Sequence, residues 1–221
     1  MTARRSMLVI GLFALLVVQA YAPQAIRAAG NVVVTDCSNA TQLATAATSP
    51  GVTQITFDCG AAPATIPITG YMSVQGDVTI DGGGKVTLDG GTTAPFFQVY
   101  AAGSLTLHNL TLQNGAYTGI HAIENFGATT LEHVVMRSNK SAGQGGAIAN
   151  YATLTVRSSL FEGNQASTPS ASGGAIYQGA GSATIETSTF SGNQSSGTGG
   201  AIACANGALT LTALTITGSM A

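Results

Sequence analysis

The side chains in this sequence that are suited to acid–base or metal chemistry are few, and the closest group of them is three carboxylates, Asp77, Asp81 and Asp89. A Ca²⁺ ion takes about six to eight oxygen ligands, and a glycosidase needs two carboxyl groups about 5–9.5 Å apart across the bond. Asp81 and Asp89 each precede a glycine, which is typical of a tight turn. We therefore interpret them as turn residues, and we predict no catalytic residue, no metal site and no cofactor.

The histidines and Cys204 are the remaining candidates for chemistry. His108 and His133 are 25 residues apart, but they fall one position out of register. A contact between His108 and Glu132 is interpreted as a surface pair, because an acid–base pair needs a third group to orient it. His121 stands where other copies of a repeat have glycine, so we place it at a turn. Cys204 is either a free thiol or the partner of a cysteine beyond the end of the chain.

A run of aromatic residues in 92–100 offers one further alternative. Phe96, Phe97 and Tyr100 are suited to an aromatic platform for a sugar ring. Clustered aromatic residues belong more often to a core than to a ligand platform. We expect these three to pack the first coil beneath a cap.

Two short motifs recur in phase and indicate how the chain is built. The first motif, Gly-Gly-Ala-Ile, occurs three times, at Gly145, Gly146 and Ile148, at Gly173, Gly174 and Ile176, and at Gly199, Gly200 and Ile202. The second, Phe-x-x-Asn, lies between them at Phe161 and Asn164 and at Phe190 and Asn193, with a degenerate copy that ends at Asn139. Self-similarity at a period of about 25 residues is typical of a solenoid. No helical period is long enough for a βαβ crossover, and the repeat is too short for a propeller blade.

Alignment of the copies predicts columns of side chains that stack from coil to coil. Two columns are apolar and should lie inside: Leu107, Leu131, Val156, Ile185 and Leu211; and Leu112, Met136, Phe161, Phe190 and Ile216. The three Asn of the second motif should form an internal ladder at a turn. Glu132, Arg157 and Glu186 should stack outside as a ladder of alternating charge. The fold class is therefore all-β, a right-handed parallel β-helix with a repeat of about 25 residues over 78–221.

Composition excludes several classes of protein. Only 7% of the 221 residues are charged and 45% are hydrophobic, and intrinsically disordered chains have the opposite bias. The net charge is −2 and no basic cluster is present, so nucleic-acid binding is excluded as a main function.

The N-terminal third predicts an export signal followed by a cap. Residues 1–29 combine two early arginines with a short apolar run and small residues, as in a signal peptide; the alternative is an uncleaved anchor. We expect no other membrane-spanning segment. Residues 30–77 are expected to form the N-terminal cap, pinned by a disulfide between Cys37 and Cys59 in an oxidising compartment. Two free buried thiols are the alternative.

The C-terminal residues, 209–219, have the pattern of the opening of another coil, but no further Gly-Gly-Ala-Ile motif follows them. An open coil leaves unpaired strand edges, which natural proteins avoid. We therefore expect that the sequence is truncated at the C-terminus and continues into further coils or an anchor.

Paired Gly-Gly-Ala-Ile and Phe-x-x-Asn repeats behind a signal peptide resemble the polymorphic outer membrane proteins first described in Chlamydia, and the wider set of bacterial β-helix surface proteins. The resemblance implies a protein that is secreted or held at the cell surface or outer membrane, non-catalytic, and similar to an adhesin or autotransporter passenger. Its partner would be a surface glycan, a host or another cell. The alternative is a polysaccharide lyase or hydrolase whose active site lies in missing C-terminal coils. The repeats are mainly architectural in this family.

Overall fold

A computed structural model describes residues 30–117 and 121–221. The predicted signal peptide, residues 1–29, lies outside the described residues. In the part of the chain that the structure describes, no helix is long and apolar enough to cross a membrane.

The chain winds into a right-handed parallel β-helix, which confirms the predicted fold. Its elements, in chain order, are β1 (Gly30–Val34), α1 (Thr41–Thr48), β2 (Val52–Phe57), β3 (Ala64–Pro67), β4 (Met72–Val74), β5 (Asp77–Asp89), β6 (Phe97–Val99), β7 (Ser104–Gln113), β8 (Ala116–Tyr117), β9 (Ile123–Asn125), β10 (Ala128–Glu132), β11 (Val135–Arg137), β12 (Lys140–Ser141), β13 (Ile148–Asn150), β14 (Thr153–Arg157), β15 (Leu160–Glu162), β16 (Gln165–Ala166), β17 (Ile176–Gln178), β18 (Ser182–Glu186), β19 (Thr189–Ser191), β20 (Gln194–Ser195), β21 (Ile202–Cys204), β22 (Ala208–Thr212) and β23 (Thr215–Thr217).

The strands stack into three parallel sheets among the described residues. The main sheet has 13 strands and contains the long strands β5 and β7, which continue into pairs of shorter strands in later coils. A six-stranded sheet runs from β4 to β21, and a four-stranded sheet runs from β8 to β20. Each later coil therefore contributes two strands to the main sheet and one to each smaller sheet.

A bend divides the main sheet along its length. One residue per coil adopts left-handed φ, between 47° and 53°, at the bend: Asn109, His133, Ser158, Thr187 and Ala213. These residues follow one another in register from β7 onward. Left-handed backbone is unfavourable for residues other than glycine, so its recurrence at one place shows that every coil turns the same corner.

Both predicted apolar columns are confirmed by the strand register. Leu107 pairs with Leu131, and the pairing continues through Val156 and Ile185 to Leu211. The second column follows from Leu112 to Ile216 in the same way. All but the last member of each column are fully buried, because inward and outward positions alternate along a strand. The result is one apolar core that runs the length of the solenoid.

The first coil is closed by α1 and the strands around it. Leu43, Ala46 and Ala47 of α1 are buried against the end of the core. Cys37 and Cys59 form a disulfide, with Cα atoms 5.7 Å apart. β2 and β3 pair in parallel with β5, and β4 pairs with β6. Parallel pairing thus extends upstream of residue 78, and the boundary between cap and repeats stays a prediction.

Side chains of the last coil are largely exposed. Leu211 and Ile216 are 45% and 51% exposed, whereas their counterparts one coil earlier, Ile185 and Phe190, are fully buried. Met220 is 60% exposed. The expected continuation of the chain stays a prediction.

Candidate functional site

The surface of the bend carries an elongated groove, which we call the corner groove. It consists of two adjoining depressions of about 380 and 440 Å³ that share His133 and Val135. The first is further lined by Lys85, Thr87, Asn109 and Thr111. The second is further lined by Ser158, Leu160, Thr187 and Thr189. Outward residues just after the bend thus form one side of the groove. The residues with left-handed φ at the bend, which we call the corner residues, form its floor.

Charged side chains lie beside the groove in pairs. On the near side of the bend, Arg157 Nε lies 3.1 Å from Glu186 Oε2, and His108 Nδ1 lies 3.3 Å from Glu132 Oε2. The surface pairing of His108 with Glu132 is therefore confirmed. The expected ladder is in register, but Arg157 pairs with Glu186 rather than bridging both glutamates. Beyond the groove, Arg137 Nε lies 2.8 Å from Glu162 Oε2.

The two Asp-Gly carboxylates are held by turns, as predicted. Asp81 accepts hydrogen bonds from the Gly83 N–H at 2.9 Å and the Asn109 amide at 3.2 Å. Asp89 accepts them from the Gly91 N–H at 2.9 Å and the Gln113 amide at 2.8 Å.

These bonds also set the ionisation of Asp89. Partial burial raises the pKa of Asp89, but the hydrogen bonds from Gln113, Gly91 and Asn114 outweigh burial and leave that pKa below its ordinary value. Within residues 30–117 and 121–221, no three His, Cys, Asp or Glu side chains are placed to hold a metal ion.

His121 is buried rather than presented to solvent, with 6% of its surface exposed. Its Nδ1 lies 3.1 Å from the Ser141 hydroxyl and 3.3 Å from the Gly145 carbonyl oxygen. Burial lowers the pKa of His121 to about 4, although the hydrogen bond to Gly145 opposes this shift. The side chain is therefore neutral near pH 7 and acts as a filler of the coil interior.

Cys204 and the aromatic run are also placed by the structure. Cys204 is an exposed free thiol on β21, paired in register with Gln178. Phe96 and Phe97 are fully buried, which confirms their assignment to the core. Tyr100 instead lies at the surface, 39% exposed, where its hydroxyl donates to Gln98 Oε1 at 2.8 Å.

The first glycine of each Gly-Gly-Ala-Ile motif turns the chain. Gly145, Gly173 and Gly199 have φ values of 70°, 72° and 67°, the left-handed region that glycine adopts without a steric penalty. The N–H groups of the first two bind the next coil: Gly145 donates to the Ser172 carbonyl and Gly173 to the Thr198 carbonyl, both at 2.9 Å.

The second glycine lets neighbouring coils approach. A Cβ on Gly146 would collide with the backbone of Gly174 and Gln165, and one on Gly174 with that of Gly200 and Gln194. Gly200 is confined in the same way, by the backbone of Met220. The isoleucine that follows points inward: Ile148 and Ile176 are fully buried, and Ile202 is packed partly against the core.

The second motif stacks both of its fixed residues. The Phe161 and Phe190 rings lie parallel, with centroids 4.7 Å apart. Asn139 donates to Asn164 Oδ1 at 3.0 Å, and Asn164 donates to Asn193 Oδ1 at 2.9 Å. All three Asn are fully buried, and left-handed φ belongs to the residue before each of them.

The family model described as Chlamydia polymorphic membrane protein repeat matches residues 158–179 and 187–205. These two segments contain both intact Phe-x-x-Asn motifs and the last two Gly-Gly-Ala-Ile motifs. The coils that contain these two segments are similar to polymorphic membrane protein repeats. No curated protein and no solved structure matches the chain.

Two features of these repeats were not predicted from the sequence. One is a second internal amide ladder, in which Asn125 donates to Asn150 and Asn150 donates to Gln178, each at 2.6 Å. The other is an outer aromatic cluster: Phe126 stacks on Tyr151 at 5.2 Å, and Tyr151 meets the edge of Tyr177 at 6.3 Å. A polar residue recurring at an inward position, followed by an aromatic one, is the signal that would have found both.

Proposed function

We propose that this chain is an exported, non-catalytic β-helix that acts at the bacterial cell surface as an adhesin or as an autotransporter-passenger-like scaffold. The observation that carries the proposal is the match to the polymorphic membrane protein repeat, on coils whose strands stay in register from β7 to β23. Repeats of this kind make a long, regular surface, which suits contact with an extended partner.

The chemistry of the described side chains supports a contact role. Asp81 and Asp89 are engaged by backbone and amide donors in turns, and His121 is buried in a coil interior. Outward positions of the main sheet carry a column of threonines, Thr106, Thr130, Thr155 and Thr184, whose hydroxyls contribute hydrogen bonds without charge. The partner in this proposal is a surface glycan, a host cell or another bacterium.

Export is the first part of the proposal to test. The full chain would be produced in a bacterium with an outer membrane, and intact cells would be labelled with an antibody before and after protease treatment. We expect labelling that protease removes, and a mature N-terminus close to residue 30. Retention in the cytoplasm with residues 1–29 attached would overturn the assignment to the surface.

The contact role is tested on the exported protein. Beads coated with the purified chain should adhere to cells more strongly than beads coated with the Gly174→Ala variant, whose coils cannot stack normally. In parallel, the chain would be incubated with acidic and neutral polysaccharides, with and without calcium. Release of unsaturated products or new reducing ends would favour the polysaccharide lyase or hydrolase alternative over the adhesin.

A further inference from the structure

The corner groove runs across the strands, parallel to the axis of the solenoid. Its lining begins at β5, beside Pro63, and ends at β19, so it crosses five stacked strands in the order β5, β7, β11, β15 and β19. At about 4.8 Å per strand, these four steps make a groove about 19 Å long. A ligand that fills it must be extended.

The groove presents a mixture of polar and aliphatic groups along its length. The floor carries corner residues with amide, imidazole or hydroxyl groups, such as Asn109, His133 and Ser158. The side beyond the bend carries Thr111, Val135, Leu160 and Thr189, which stack in register one per coil. On this side, threonine hydroxyls thus flank two aliphatic side chains, so the ligand should offer both hydroxyls and C–H surfaces along its length.

The charges beside the groove favour an uncharged ligand. Arg157 and Arg137, on opposite sides, are already paired with Glu186 and Glu162 at 3.1 and 2.8 Å. An anionic polymer would have to displace a glutamate at each arginine, and a cationic polymer an arginine. Exchanging one exposed, solvent-screened pair for another gains little free energy. Lys85, which lines the β5 end of the groove, adds a single positive charge, too few for a polymer that carries a charge on every unit.

The backbone beneath the groove is not available to a peptide strand. His133 donates its N–H to the Arg157 carbonyl and Ser158 donates to the Glu186 carbonyl, both at 3.2 Å. A peptide binds a sheet by pairing with a free strand edge, and here the N–H groups point along the groove into the next coil. Recognition must therefore use side chains.

We propose that the corner groove binds a linear, uncharged polysaccharide, with successive sugar units lying on successive coils. The inference rests on the proposed function, since it names the partner class and the surface through which a cell-surface β-helix would make contact. The rise per coil is close to the length of one pyranose unit in an extended chain. Thr111 and Thr189 would contact the ligand in the two halves of the groove.

The test is a titration of the full chain with defined oligosaccharides. The probes are cellohexaose, xylohexaose and chitohexaose, with the corresponding disaccharides to measure dependence on length. Hexagalacturonate and a proline hexapeptide represent charged polymers and extended peptides. We expect at least one neutral hexasaccharide to bind, and its disaccharide to bind about tenfold more weakly or worse.

Four variants locate the site. Thr111→Arg and Thr189→Arg place a bulky cation in the groove, and should weaken binding of the hexasaccharide at least about tenfold. Thr106→Arg and Thr184→Arg are matched controls: they are outward, similarly exposed threonines of the same sheet, on the other side of the bend. They should bind as the parent chain does. Circular dichroism and thermal denaturation check that all four fold.

Several results would overturn the inference. The first is that no neutral hexasaccharide binds. The second is that the groove variants and the control variants lose the same amount of affinity. The third is that hexagalacturonate or the peptide binds more tightly than every neutral hexasaccharide. Cell adherence measured on the same variants separates the two proposals. If the chain adheres to cells but binds no saccharide, the adhesin role stands and the proposed groove ligand is wrong. If it binds a saccharide but does not adhere to cells, the groove ligand stands and the adhesin role is wrong.

Discussion

His121 occupies the place in its coil that Gly146 occupies in the next, since Ile123 pairs with Ile148. Its imidazole is buried and its pKa is about 4 in the folded chain, against about 6.5 in an unfolded one. The unfolded state therefore binds more protons between these two values. The contribution of His121 to the free energy of unfolding is full above about pH 6.5 and falls as the pH is lowered towards 4.

This dependence gives a first prediction at the residue scale. Urea denaturation should show the free energy of unfolding falling by about 3 kcal/mol between pH 6.5 and pH 4. In the His121→Gln variant, the slope of the free energy of unfolding against pH should largely disappear over this window. The control variant His133→Gln, which changes an exposed histidine, should keep the slope. An unchanged slope in His121→Gln would assign the dependence to other groups.

Thr129 gives a second prediction, because its buried hydroxyl has no hydrogen-bond partner among the described residues. It lies in register between Leu105 and Leu154, in an apolar column. Thr129→Val removes the unsatisfied group and keeps the branched shape, so the free energy of unfolding should rise by about 1 kcal/mol. The outward Thr130→Val is the control, and should change it by less than about 0.5 kcal/mol. Destabilisation by Thr129→Val would indicate that the hydroxyl is satisfied by water.

At the scale of the element, the second glycine of the repeat is the position that governs stacking. Gly174→Ala places a Cβ against the backbone of Gly200 and Gln194, which a rigid parallel ladder cannot relieve. We expect a loss of about 3 kcal/mol or displacement of the last coils, measured by denaturation and by amide exchange. Gly76→Ala, where a Cβ meets nothing within 4 Å, is the matched control. Equal stabilities would contradict the role assigned to the motif.

The disulfide of the N-terminal segment gives a prediction at the same scale. It closes a separation of 22 residues, and removing such a loop constraint costs about 3 kcal/mol in the chain-entropy description. The double variant Cys37→Ala, Cys59→Ala should be destabilised by that amount in thermal or urea denaturation. Cys204→Ala, which changes an exposed free thiol, should remain within about 0.5 kcal/mol of the parent.

The sequence predicted those elements whose residues obey a repeat. The Leu107 and Leu112 columns follow from spacing alone, because stacking coils forces residues of like position into contact. Pairing of charges did not follow, since Arg157 has a glutamate on each side and side-chain geometry selects Glu186. The corner groove was also missed, because its floor residues (Asn109, His133, Ser158 and Thr187) share a backbone conformation but no residue type.

At the scale of the whole molecule, each coil contacts only its neighbours, so stability should vary along the axis. Strands β10, β11, β14 and β15 have coils on both sides, while the side chains of β22 and β23 are largely exposed. Amide hydrogen exchange of the 221-residue chain should show strongest protection in the former and weakest in the latter. Uniform protection along the axis would show instead that the solenoid opens as a single cooperative unit.

The orientation of the ladder also determines how the molecule responds to force. Strands lie across the axis, so the hydrogen bonds between coils, such as that from the Ser158 N–H to the Glu186 carbonyl, point along it. Tension applied between the two ends therefore breaks these bonds sequentially, one coil at a time. It does not shear all strands of a sheet at once. Each released coil of about 25 residues would lengthen the chain by about 80 Å. A tethered β-helix of this kind would yield gradually under flow, extending in equal steps at low force while the remaining coils keep their surface intact.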